Sequence, residues 1–199
     1  MKRSSLLAAA FIFLAGGVAQ AQTAPGKAVA TFAAGCFWCV ESDFDKVEGV
    51  TATISGYTGG KELGPTYREV SAGATGHTEA VEITYDPSKV SYQKLLDHFW
   101  RNVDPFAKDR QFCDSGKQYR SAIFYRNDEE KRLAEESKKA VEKKFSKTVA
   151  TEIAPASAFT AAEDYHQDFY LKNSTKYKFY RWNCGRDQRL EELWGKKTS

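Results

Sequence analysis

Polar and apolar residues alternate from Glu79 to Tyr85, the period-two pattern of a half-buried strand. Apolar, β-branched or aromatic runs at 28–33, 50–57, 78–85, 120–125 and 150–154 predict strands. Between and after them, apolar spacing predicts helices over 37–46, 92–102, 128–145 and 161–171, with a short one at 188–194. Ser91 and Asn127 are suited to N-cap two of these helices. The Glu/Lys-rich stretch 128–144, with i,i+4 pairs such as Glu135–Lys139, reads as a solvated face, not a binding surface. Strands interleaved with helices imply an α/β or α+β layered domain. The stretches 58–76 and 103–119 follow neither period, and long loops in a compact domain are often functional.

Length and composition narrow this picture. With 199 residues, 42% of them hydrophobic, the chain can build one core, so 28–199 is expected to be one domain after a short polar linker at 22–27. Lys2 and Arg3, the apolar run from Leu6 to Val18 and Ala19-Gln20-Ala21 form a basic, an apolar and a small-residue cleavage region, so residues 1–21 read as a signal peptide. Export to the periplasm is the expectation, with secretion as the alternative. Setting Lys2 and Arg3 aside lowers the net charge from +3 to +1, which gives no electrostatic reason to expect nucleic acid or an anionic membrane as partner.

Export places Cys36, Cys39, Cys113 and Cys184 in an oxidising compartment, where an even count commonly means structural disulfides. A domain of this size does not need such staples. The three histidines and the single Cys-x-x-Cys do not make a metal pattern, and no Ser sits in a nucleophile elbow. Gly35-Cys36-Phe37-Trp38-Cys39 is the most pointed motif. It lies between a strand-like run and a helical one, so Cys36 falls at a helix N-terminus, where free N–H groups and the dipole favour a thiolate. A buried structural cysteine is the plain alternative.

The ordered set of motifs resembles peptide methionine sulfoxide reductase A. The matching blocks are Gly35-Cys36-Phe37-Trp38, Gly56-Tyr57-Thr58-Gly59-Gly60, Pro65-Thr66-Tyr67, Gly76-His77-Thr78-Glu79, Asp104-Pro105, Asp114 with Gln118-Tyr119-Arg120-Ser121, and Glu163-Asp164-Tyr165-His166-Gln167. The resemblance implies an α+β two-layer sandwich, a ferredoxin-like variant whose mixed, mainly antiparallel sheet carries flanking helices and long active-site loops. It implies Cys36 as nucleophile, Glu79 as acid, Tyr67, Tyr119 and Asp114 at the polar end of the pocket, and Phe37 and Trp38 around the substrate methyl group. Methionine sulfoxide, free or in oxidised proteins, would be the substrate, with the S epimer reacting. No bound cofactor or metal is expected. A thioredoxin-like reductant, a monomeric chain and no stable membrane association after signal cleavage complete the expectation.

The sequence departs from the family at its redox partner. Cys39 replaces the glycine common in relatives, and the tail around Cys184 lacks the glycine-rich end that carries resolving cysteines elsewhere. Cys39 at i+3 shares a helix face with Cys36 and is the expected resolving cysteine, with Cys184 the alternative. Cys113, beside the bulky Phe112, is expected to be buried. Two other functions stand against the main reading. One is a thioredoxin-like oxidoreductase using Cys36-x-x-Cys39, and the other is a binding domain stapled by two disulfides.

Overall fold

The computed structural model describes residues 26–196, so the signal segment 1–21 lies outside the described residues. Strand β1 (Ala28–Ala34) sits at the centre of a mixed sheet with β2 (Val50–Thr58), β3 (Thr78–Tyr85), β6 (Ser121–Tyr125), β7 (Glu152–Pro155) and the two-residue β8 (Thr160–Ala161). Their order is β7-β6-β1-β3-β2-β8, and every pairing is antiparallel except β6 with β7. A short hairpin, β4 (Arg110–Gln111) and β5 (Asp114–Ser115), stands apart.

Strand period divides the core. Ala30, Phe32, Val81, Ile83 and Tyr85 join a buried cluster with α1 (Phe37–Phe44) and α3 (Tyr92–Arg101), through Phe37, Val40, Phe44, Leu95, Leu96 and Phe99. Ala33, Ala80, Ala122 and Phe124 form a smaller cluster with Ala154, Ala156 and Phe159. Phe32 stacks on Phe44 at 5.4 Å and meets Phe99 at 5.3 Å. Truncating Phe32 to Ala would cost about 3–5 kcal/mol through lost transfer energy and the cavity left behind. Both expected caps form: the Ser91 hydroxyl accepts from Lys94 N–H, and the Asn127 side chain accepts from Glu130 N–H at the start of α4 (Asp128–Phe145).

Several elements differ from the sequence expectation. The stretch 58–76 contains α2 (Tyr67–Ser71), started by a reciprocal capping box between Thr66 and Glu69. The stretch 103–119 holds the β4–β5 hairpin and a 3-10 turn, Lys117–Tyr119. The helix expected over 161–171 does not form. Its polar side chains hold other segments instead: Glu163 accepts from Tyr57 O–H and Tyr67 N–H, and the Gln167 amide bonds both N–H and C=O of Ser55. Asp168 then takes a positive φ of 53°, and only α5 (Phe169–Lys172) follows. The tail, expected to hold only a short helix at 188–194, forms α6 (Ser174–Asn183) and α7 (Arg186–Trp194).

Candidate active site

The turn after β1 builds the site. Gly35 has φ +82°, and a Cβ there would lie 2.5 Å from Cβ of Gln111, so glycine lets the chain turn against the hairpin. Cys36 N-caps α1 and is 7% exposed. Gly60 is held similarly, because a Cβ there would come 2.4 Å from the His77 ring, and His77 precedes β3.

Glu79 is in phase with Val81, Ile83 and Tyr85, so the strand period itself brings a carboxyl to the helix-facing side of the sheet. Glu79 is 2% exposed, while Glu82 and Thr84 on the other face of the strand are half-buried. Phe37 N–H donates to Glu79 Oε2 at 3.0 Å, which fixes the carboxyl beneath the first turn of α1. Tyr67 enters at the start of α2, Tyr119 at the end of the 3-10 turn, and Asp114 from β5. With Cys36, Phe37, Trp38 and Tyr180 of α6 they line a cavity of about 70 Å³. Every site residue expected from the sequence, apart from the resolving cysteine, thus meets in one place. An open depression of about 510 Å³ lies elsewhere, at His98, Arg101, Leu190 and Trp194, and its lining has no cysteine.

Electrostatics separate the groups. Burial pushes the Glu79 carboxyl up to about 8, opposed by the Phe37 N–H bond and reinforced by Asp114 and Cys39, so it is protonated at neutral pH. Burial also raises Tyr67 to about 12. The Cys36 thiol is raised well above its ordinary value by burial, then by Cys39 and Glu79, while Tyr180 lowers it. The expected helix-end thiolate is therefore not the resting form, because desolvation outweighs the dipole. Cys39 is lowered by its hydrogen bond with Cys36 and by the Arg186 and Arg181 guanidiniums, against burial.

Aromatic contacts set the apolar wall. Trp38 stacks on Phe169 at 3.8 Å, and its ring N–H donates to His166 Nδ1 at 3.0 Å. That bond makes Nδ1 the acceptor, and burial lowers the His166 pKa, so the ring is neutral. His166 also packs on Phe37 at 4.9 Å and Tyr67 at 4.3 Å. Sequence reasoning quoted His166 in a motif without giving it this positioning task, and it missed Tyr180 altogether. The only signal for Tyr180 was the Tyr/Arg-rich tail before Cys184.

Cys36 and Cys39 are free and share a hydrogen bond, whereas Cys113 and Cys184 form a disulfide. This excludes the binding domain stapled by two disulfides. Cys113 is exposed, not buried: Phe112 takes a positive φ of 51° and lies under the Arg186 guanidinium at 4.4 Å. Cys113, Asp114 and Cys184 also place potential metal-ligand atoms within 4.8 Å of one another, but the two sulfurs are bonded together.

A buried thiol beside a neutral carboxylic acid, with a second thiol at i+3, defines a thiol-based oxidoreductase site. The family model for peptide methionine sulfoxide reductase matches residues 28–198, and the chain belongs to this family. A Bacillus licheniformis protein named peptide methionine sulfoxide reductase MsrA is 47% identical over 173 residues, 86% of this chain and 96% of that protein. Caulobacter vibrioides has one named peptide methionine sulfoxide reductase MsrA 2, 45% identical over 196 residues, 98% of this chain and 100% of that protein. The crystal structure of Mxr1 from Saccharomyces cerevisiae in reduced form superposes with a TM-score of 0.73 at 31% identity, covering 77% of this chain and 90% of that one. The family assignment displaces the thioredoxin-like reading of Cys36-x-x-Cys39.

Proposed function

We propose that the chain reduces the S epimer of methionine sulfoxide, free or in proteins, with Cys36 as nucleophile and Glu79 as general acid. One observation carries this reading: a carboxyl neutral up to about pH 8 and the Cys36 thiol share one small cavity. The Cys36 sulfur attacks the sulfoxide sulfur while Glu79 protonates its oxygen. The sulfur–oxygen bond breaks and the oxygen passes to Cys36 as a sulfenic acid. Methionine gains two electrons and Cys36 loses two. Tyr67 and Tyr119 hold the oxygen, and Phe37 and Trp38 hold the methyl group. The Cys39 sulfur then displaces water from the sulfenic acid, forming a Cys36–Cys39 disulfide. A thioredoxin-like dithiol donor returns both to thiols.

The Cys113–Cys184 disulfide suits an oxidising compartment, which supports the export reading. The test is turnover of a peptide carrying resolved S or R methionine sulfoxide, read by mass spectrometry as loss of one oxygen. Conversion of S alone is expected. Equal turnover of both epimers, or of neither, overturns the reading.

A further inference from the structure

Tyr180 lines the cavity from the C-terminal segment, and its hydroxyl meets two groups. It donates to Asp114 Oδ2 at 2.5 Å and hydrogen-bonds the Cys36 sulfur. The segment is tied down on both sides. Cys184, the residue that caps α6, is bonded to Cys113, the neighbour of Asp114. The covalent link and the Tyr180–Asp114 hydrogen bond therefore join the same two segments. Arg181 pairs at 3.0 Å with Asp43 of α1, itself 4% exposed, which locks α6 onto the helix that Cys36 caps. A phenol held this way has little freedom to leave the sulfur.

We propose that Tyr180 is a catalytic residue of this site, which passes the Cys36 thiol proton to Asp114 and then donates a hydrogen bond to the resulting thiolate. The role rests on Cys36 being the nucleophile. The step balances. The Cys36 proton moves to the Tyr180 oxygen as the Tyr180 proton moves to Asp114, so a thiol and a carboxylate become a thiolate and a carboxylic acid. The phenol is neutral throughout. Its new proton faces the sulfur, while the protonated Asp114 donates from behind. Burial raises the Asp114 carboxyl, which helps it hold that proton. Glu79 gives its proton to the sulfoxide oxygen in the same reaction, so the step leaves Glu79 ionised and Asp114 holding the proton relayed from Cys36. The other titratable groups facing the sulfur are Cys39 on its own helix, Glu79 from β3, Tyr67 from α2 and Tyr119 from the 3-10 turn. Of these, Cys39 is a rival acceptor, since it shares a hydrogen bond with the Cys36 thiol, whereas Tyr180 leads on to a carboxylate at Asp114.

The experiment follows alkylation of Cys36 by iodoacetamide against pH, with the modified residue assigned by fragment-ion mass spectrometry. No sulfoxide is needed, so failure here is separable from failure of the reductase reading. In Tyr180→Phe the profile should move up by about one pH unit, lowering the rate near neutrality roughly tenfold, with the alkaline plateau unchanged. Replacing Tyr180 with 3-fluorotyrosine keeps the shape and strengthens the donor, so that profile should move down. A Tyr180→Phe profile that superposes on the wild type overturns the proposal. So does a fluorotyrosine profile that stays in place, which decides the matter even if the Phe variant folds poorly.

Discussion

Replacing Glu79 with Gln should slow the enzyme and stabilise the fold together. The amide oxygen of Gln can still accept from Phe37 N–H, so the turn above it is kept. The efficient proton donor is gone, and sulfoxide turnover should fall roughly 10²–10⁴-fold, the usual worth of general acid catalysis. The stability effect follows from linkage. The folded carboxyl titrates at about 8 against an ordinary 4.5, so the folded chain binds the proton more tightly than the unfolded chain. Wild-type stability therefore falls as pH rises from the unfolded value, and levels off above the folded one. At about pH 7 the raised value costs on the order of 3 kcal/mol, at roughly 1.4 kcal/mol per unit. The Gln variant does not carry this cost. Urea unfolding should give equal stabilities near pH 4 and a gap of several kcal/mol near pH 8. Wild-type turnover should also decline above about pH 8, as Glu79 loses the proton it donates. A variant with full activity, or a stability gap independent of pH, would refute the assignment of a neutral buried acid.

Other outcomes follow from the same geometry. Cys39→Ser should complete one turnover and then stall with donor present, while the wild type accumulates a Cys36–Cys39 disulfide on peptide mapping; a Cys36–Cys184 bridge there, with turnover surviving in the variant, would assign resolution to the tail. Gly35→Ala should cost at least about 2 kcal/mol in urea unfolding, because φ is +82° and the new Cβ meets Gln111. Opening the Cys113–Cys184 bridge by a double Ser substitution should lower stability by up to about 4 kcal/mol, given a sequence separation of 71. The same loss should appear in the wild type on adding a thiol reductant, and no change in either would mean the bridge does not restrain the unfolded chain.

The site was legible where chemistry is written in short motifs. Cys36, Phe37 and Trp38 are consecutive, and Glu79 stands in the Gly76-His77-Thr78-Glu79 block that the family resemblance marks. Helix α4 was legible to its ends, because Asn127 caps it and Glu/Lys pairs mark its length. The tail was not. Helix α6 is only partly apolar, and its defining contacts are remote: Tyr180 to Asp114 and Arg181 to Asp43. The stretch 161–171 failed for the opposite reason. Its residues suit a helix locally, but Glu163 and Gln167 find stronger partners on β2 and at the start of α2. The resting form of Cys36 was misjudged because depth of burial is a tertiary quantity that no motif records.

A cavity of about 70 Å³ admits the tip of a side chain and leaves the substrate backbone outside. An oxidised residue must therefore project its sulfur clear of its own protein to reach Cys36. Choice among damaged sites would then depend on how loosely each is folded, and little on flanking sequence. A catalyst of this shape surveys unfolding: a residue sealed in an intact core is passed over, and the same residue is repaired once its surroundings give way.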